Sequence, residues 1–276
     1  MMMLGVYREQ IFSPGKIKED AAILDATLHE LFRQGHAVCS LHAETLDIPS
    51  VQPACALTMA QSDRALDILE IWQKKGTRII NSTLSVRQSY RKPMIRLLGE
   101  AGMPIPSTSI FPLEEVEQVI SFPSLTPYWL KRGDVHAMEP GDVVKVGSKE
   151  GLMKAVHHFR RRRIGEILVQ GHVEGEVIKF YGVRGGHYFS AFLASTGEEV
   201  TSETGQLPVV AQQSAEAIGL EVYGGDAIIP PNGKVVLIDL NDWPSFSRCC
   251  QAAAKGIARY ITSVFEGGPN GSSSRS

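Results

Sequence analysis

Two aspartates and an asparagine near the C-terminus carry the clearest chemical signal in the chain. The stretch Glu221–Phe246, EVYGGDAIIPPNGKVVLIDLNDWPSF, reads as two apolar strands around Pro-Pro-Asn-Gly. With Asn232 and Gly233 at the centre of a two-residue turn, Asp226 falls directly opposite Asp239, and opposed side chains share a sheet face. Asn241, two residues beyond Asp239, falls on that face too, while Leu240 points away. Opposed like charges destabilise a sheet, so this trio needs a compensating partner. A hard cation meets that need: Mg²⁺ is usually held by one or two carboxylates while substrate phosphates complete its shell. The same pattern also fits carboxylates that cap turns or pair with lysines such as Lys234. Pro231 lacks the N–H of the tightest hairpin, which leaves a wider loop open; a symmetric widening keeps the pairing, and a bulge breaks it.

The elements that must position these groups follow from periodicity. Met3–Tyr7 is apolar and extended. A helix from about Asp20 carries Leu24, Leu28, Leu31 and Phe32 on one face, and His36–Leu41 is extended again. A second helix places Ala65, Leu66, Leu69 and Trp72 at helical spacing before the short strand Arg78–Asn81. This alternation implies a parallel sheet. A helix over Arg91–Ala101 ends at Gly102 and the prolines of MPIPST, and Phe111–Pro127 reads as a connector. Beyond it come strands Tyr128–Lys131 and Val143–Val146, a helix over Lys149–Arg160 and a strand over Glu166–Val173. Strands Val177–Val183 and His187–Ala194 are joined through Arg184–Gly186. A helix over Pro208–Gly219, the acidic hairpin and a helix over Arg248–Phe265 complete the ordered chain.

The chain has 276 residues, 43% hydrophobic and 21% charged, with a net charge of −2. That is ordinary globular composition, and it excludes a bulk polyanion binder such as a nucleic-acid protein. No apolar run reaches the ~18 residues of a membrane helix, and Glu9 comes too early for a signal peptide's apolar region, so a cytoplasmic protein is expected with no membrane partner. Cys39, Cys55, Cys249 and Cys250 form no CxxC pair and read as reduced thiols.

The segment GLEVYGGDAII…VVLIDLND resembles the last two strands of ATP-grasp enzymes, the group of glutathione synthetase, D-alanine–D-alanine ligase and RimK-type ligases. Their pattern is an acid on one strand and acid-x-Asn on the next. Upstream, RKPMIRLLGEAGMPIPST resembles the segment where a nucleotide lysine, here Lys92, opens a helix. YWLKRGD resembles the strand of the second nucleotide lysine, here Lys131. EILVQGHVEGEVIKFYGV is similar to the adenine-hinge strand and the following strand whose basic residue, here Lys179, faces the phosphates. The resemblance covers nearly the whole chain. It implies an α/β (α+β) ATP-grasp fold: a pre-ATP-grasp βα domain over 1–105, a small lid subdomain over 106–180, a large subdomain with the metal site over 181–266, and a disordered tail over 267–276.

The roles that follow are coherent. Lys92 and Lys131 would hold the α- and β-phosphates of ATP, and Ile167 and Val169 would floor the adenine slot. Backbone groups of Gln170, Gly171, His172 and Val173 would read the adenine edge, and Glu176 or Glu174 would lie near the ribose. Asp226, Asp239 and Asn241 would hold Mg²⁺, or Mn²⁺ in its place. Two departures stand out. The interval KRGDVHAMEPGDVVKV replaces a Gly-rich phosphate loop and carries Asp134 and His136, of which His136 is the candidate phosphate or acceptor contact. The arginine that RimK-type relatives place before the Asp strand is absent, leaving Arg184 and His187 as the nearest substitutes. Tyr7, Arg8 and Lys16 follow the first strand, where open α/β sheets present ligands. Trp243 and Phe246 fit either the acceptor edge or the core.

The function implied is an ATP- and Mg²⁺-dependent ligase that joins a small-molecule or peptide carboxylate to an amine or thiol through an acyl phosphate, with Lys131, Lys179, Arg184 and His136 as catalytic candidates. The alternatives are a small-molecule kinase resembling inositol-phosphate kinases and a nucleotide-binding protein with weakened turnover. A homo-oligomer is compatible with either.

Overall fold

The computed structural model describes residues 1–47, 52–120, 127–133, 141–200, 205–230 and 233–266. The first unit is a parallel sheet, spatial order β2-β1-β3-β4, built from β1 (Met2–Tyr7), β2 (Ala37–His42), β3 (Cys55–Thr58) and β4 (Arg78–Ile80). Its helices are α1 (Ile17–Arg33), α2 (Asp63–Lys74), α3 (Thr83–Gln88) and α4 (Arg91–Glu100). In α1 the apolar residues Leu24, Leu28 and Leu31 recur every three or four positions and are buried, whereas Phe32 is 61% exposed, one residue too far around the helix. Helix α2 starts where the Ser62 side chain accepts from the Ala65 N–H.

The second unit is antiparallel, order β5-β8-β6-β7: β5 (Thr108–Pro112), β6 (Tyr128–Arg132), β7 (Val143–Val146) and β8 (Glu166–Gly171), with α5 (Val116–Val119) and α6 (Lys149–Arg161) on one face. Phe111 and Pro112, expected in a connector, are therefore strand residues at the sheet edge, where a proline is tolerated. The third unit is antiparallel, order β10-β9-β11-β12: β9 (Val177–Val183), β10 (Tyr188–Leu193), β11 (Val222–Ile228) and β12 (Val236–Asp242). Helix α7 (Leu207–Ala217) covers one face, and α8 (Cys250–Glu266) lies on the other. A division at residue 180 would cut β9, so the boundary between the second and third sheets lies in 172–176.

The first and third units share one core. Met3, Ile23 and Leu28 pack with Val222, Trp243, Phe246, Ile257 and Ile261, so α8 closes the chain against α1. The second unit keeps a core of its own around Leu130, Val156, Phe159 and Ile167. Trp243 and Phe246 are thus core residues. Both have left-handed backbones, φ 35 and 49, and they bracket Pro244 and Ser245.

Asn81, just after β4, ties the first sheet to the third. Its carbonyl oxygen accepts from the backbone N–H groups of Glu221 (2.7 Å) and Val222 (2.9 Å), and its amide donates to Val222 O (2.7 Å) and to Asp242 Oδ1. Asn81→Ala leaves two buried N–H groups and one oxygen of the Asp242 carboxylate unpaired, each an expensive loss, so it should lower the unfolding free energy by about 3 kcal/mol in urea titration. A loss below about 1 kcal/mol would contradict this account of the junction.

Candidate functional site

A cleft of about 680 Å³ opens between the second and third sheets and runs toward the ends of β1 and β3. Its size is that of a ligand pocket. One wall presents a row of charge across three strands: Lys179 on β9 is opposite Asp226 on β11, and Asp226 is opposite Asp239 on β12. Lys179 Nζ donates to Asp226 Oδ1 at 2.8 Å. Asn241 lines the same cleft. Gly225 makes this approach of strands feasible, since a Cβ there would fall 2.2 Å from the Asp239 carbonyl oxygen. Burial pushes the Asp226 carboxyl above its ordinary pKa, with Lys179 opposing that rise.

The hairpin is not a two-residue turn. Strands β11 and β12 are separated by 229–235, and a bulge interrupts their register between Asp226 and Ala227, which pairs with Leu237. The extra residue is Ile238. A wide loop and a bulge displace the register in opposite senses, so Asp226 still meets Asp239. The bulged Ile238 offers its carbonyl to Lys131 Nζ, 3.2 Å away across the cleft. Lys131 is only 8% exposed, and its pKa is lowered because burial outweighs the attraction of Asp239. Arg91, at the start of α4, is 2% exposed, lines the cleft, and donates to the Arg132 carbonyl at 2.9 Å.

The far end of the cleft is built from the first unit. Arg8, just after β1, donates to Met59 O (3.2 Å), Asp20 Oδ2 (3.2 Å), Asp242 O (3.3 Å) and Trp243 O (2.8 Å). Asp20 also accepts from Ser13 Oγ at 2.7 Å. Gln61 donates through Nε2 to Asp242 Oδ2 at 3.0 Å. Burial pushes the Asp242 carboxyl up to about 7, opposed by the hydrogen bond from Asn81, the charge of Arg8 and the hydrogen bond from Gln61.

No family model and no curated protein matches this chain. Solved structures do match over nearly its whole length. A RimK domain ATP-grasp protein from Sphaerobacter thermophilus DSM 20745 is 19% identical, covering 94% of this chain and 98% of its own, with a TM-score of 0.72. D-alanine–D-alanine ligase from Bacillus anthracis complexed with ATP is 12% identical, covering 97% and 100%, at 0.71. The chain has the ATP-grasp fold. The ATP-grasp ligase PsnB, complexed with precursor peptide PsnA2 and AMPPNP, is similar too, at 15% identity over 94% of this chain and 96% of its own, with a TM-score of 0.63.

Within this cleft the structure gathers Lys131, Lys179, Gln170, Gly171, His172, Val173, Asp226, Asp239 and Asn241. Four expected members lie elsewhere or outside the described residues. Lys92 does not line the cleft; it is paired with Glu166 at 2.7 Å, and the residue before it, Arg91, is the cation that turns inward. One residue is about 100° of helix, enough to exchange the two faces. Arg184 sits on the turn between β9 and β10 rather than in the cleft, and His187 with it. Glu176 accepts from Ser195 Oγ and faces away from the cleft lining, while Glu174 is 88% exposed beside His172. His136 and Asp134 lie outside the described residues, as does the tail 267–276.

Strand parity corrects the expected adenine floor. Lys131 is opposite Leu168 and Trp129 is opposite Gln170, so Ile167 and Val169 belong to the other face, in the core with Leu130. The apolar cleft wall instead comes from Val143, Val173, Val177, Ile228 and Ile238. Arg91 was missed although it is one helix position from Lys92, and strand parity adds the side chain of Gln170 to the backbone role expected of it once Lys131 is taken as inward. Gln61 and Asp242 carried no motif.

The donors fit a hard cation: two carboxylates and an amide oxygen on one wall, all oxygen and no sulfur or imidazole. Among the described residues no group of three His, Cys, Asp or Glu suits a metal, so any cation here takes the remainder of its shell from water or substrate. Among those residues, too, no helix is long and apolar enough to cross a membrane.

Asp242 sets a pH signature. Its pKa in the fold, about 7, exceeds the reference 3.8, so the native state holds the proton more tightly. The stability this group supplies is present below about pH 4 and lost as pH rises through about 7. Against Asp242→Asn, the wild-type melting temperature should therefore decline across that interval; a difference that stays flat with pH would contradict a buried, proton-holding Asp242.

Proposed function

We propose that this chain is an ATP- and Mg²⁺-dependent ligase that activates a carboxylate as its acyl phosphate and passes the acyl group to an amine or thiol. The observation that carries this reading is the facing of two walls: Asp226, Asp239 and Asn241 on one, Lys131 and Arg91 on the other, around a nucleotide-sized cleft. The ATP-grasp fold of D-alanine–D-alanine ligase, RimK and PsnB neighbours supports it.

In this reading Gln170–Val173 and the apolar wall hold the adenine, while Lys131 and Arg91 hold phosphate oxygens. Asp226, Asp239 and Asn241 would hold Mg²⁺, which when bound neutralises charge that builds on the transferring phosphoryl group. A carboxylate oxygen takes the γ-phosphoryl and ADP leaves. The nucleophile then attacks the acyl carbon, the C–O bond to phosphate breaks, and phosphate and a proton are released. No protein nucleophile is needed, because the protein's contribution is position and field. Burial of Lys131 strengthens that field, since its charge acts with little screening.

The charge at the far end argues against a kinase for polyphosphates, which needs a basic acceptor pocket. Arg8 gives four of its five N–H groups to three carbonyls and Asp20, and Arg184 lies outside the cleft.

The test is hydroxamate formation from a panel of carboxylic acids with ATP, Mg²⁺ and hydroxylamine, which traps acyl phosphates. Wild type should give hydroxamate with at least one acid. Asp239→Ala should abolish it, and Lys131→Ala should raise the KM for ATP by about tenfold or more. Lys92→Ala should change neither parameter. Stable phosphorylated product without hydroxamate, or an undiminished Asp239→Ala, would overturn the reading.

A further inference from the structure

We propose that Gln61 is the specificity residue for the acceptor, its carboxamide oxygen taking an N–H from a primary amine that carries no free carboxylate beside it; this rests on the ligase reading above.

Gln61 lies just beyond β3, at the carboxyl end of a parallel sheet, where open α/β folds present ligand contacts. It is held from three sides. Its N–H donates to Glu9 Oε2 at 3.0 Å, its carbonyl accepts from the Tyr90 hydroxyl, and its Nε2 donates to Asp242 Oδ2 at 3.0 Å. Asp242 is itself fixed by Asn81. A carboxylate partner takes the amide's donor side, so the oxygen is turned the other way. That oxygen accepts no hydrogen bond from a described residue and is not sealed from solvent, although the residue is only 8% exposed and lines the cleft. A nearly buried carboxamide oxygen in this setting calls for a donor.

The surroundings select the kind of donor. Asp20 and Asp242 both line this end of the cleft, and the Arg8 guanidinium gives four of its five N–H groups to protein oxygens. A substrate carboxylate here would meet the Asp20 carboxylate and no pair of N–H groups on Arg8 with which to form a fork. Lys16 is the other cation at this end, and it is exposed. Segments outside the described residues contain no lysine or arginine before Arg275. Lys131, Lys179 and Arg91 belong to the phosphate end. An amine, or an amine beside a neutral amide, is therefore matched, whereas an amino acid with its carboxylate free is not.

The experiment is saturation-transfer NMR on the full chain with AMPPNP and Mg²⁺, using methylamine and amino-acid amides such as glycinamide, each amide against its parent amino acid. Wild type should transfer saturation to at least one amine or amide and not to the matching amino acid. Gln61→Met, equal in length but without the oxygen, should reduce transfer about fivefold or more. A melting scan of the variant separates lost binding from lost folding. Equal transfer to glycine and glycinamide, undiminished transfer in a folded Gln61→Met, or no transfer to any amine would overturn the proposal. Hydroxamate formation without amine binding refutes the subsite alone; amine binding without hydroxamate refutes the ligase reading alone.

Discussion

The architecture depends on holding two like charges together. Asp226 and Asp239 oppose each other across β11 and β12, an arrangement that costs free energy in an ordinary sheet. Two lysines from different directions reduce that cost: Lys179 from the adjacent strand, and Lys131 from the facing sheet, anchored on the carbonyl that the Ile238 bulge turns outward. The carboxylates thus sit opposite one another on the cleft wall with a lysine approaching from each side.

Such a row needs a stiff frame, and the chain supplies it by joining its ends. Helix α8 packs on α1, and the core of Met3, Ile23, Val222 and Ile257 spans the first and third sheets. Asn81 uses both faces of its amide to connect β4 with β11 and β12. The second sheet, by contrast, has its own core and meets the third across the cleft, through contacts such as Lys131 on Ile238. Burial of apolar area decides which units move together, and here it binds the first to the third.

What was readable in the sequence were the periodic elements, because burial enforces spacing: the pairing of Tyr128–Lys131 with Val143–Val146 and the helices around Leu69 and Phe159 follow from it. Side-chain direction was less readable. Lys92 and Arg91 are neighbours in the chain and strangers in space, and Ile167 and Val169 look like a slot floor until cross-strand register assigns them to the core. The Asp226–Asp239 pair was found by assuming a two-residue connection, whereas 229–235 separate the strands and the bulge offsets the difference. Gln61 left no trace in the pattern, because a single polar residue after a strand is what most loops contain; only its locked backbone and the Asp242 contact distinguish it.

The cleft is polar in a directional sense. At one end Arg91, Lys131 and Lys179 outnumber the two acids Asp226 and Asp239; at the other, Asp20 and Asp242 accompany an arginine that gives four of its five N–H groups to the protein. A triphosphate is therefore favoured at one end, and a hydrogen-bond donor at the other, before any shape complementarity is considered. The wall of Asp226, Asp239 and Asn241 lines the same cleft, and under the ligase reading proposed above the phosphoryl group would leave the nucleotide beside it. That gradient is written into which cations the fold leaves available: the same guanidinium, released from Asp20 and the carbonyls of Met59 and Trp243, would turn the acceptor end into an anion site. The specificity of the cleft is thus a matter of how Arg8 is employed as much as of what surrounds it.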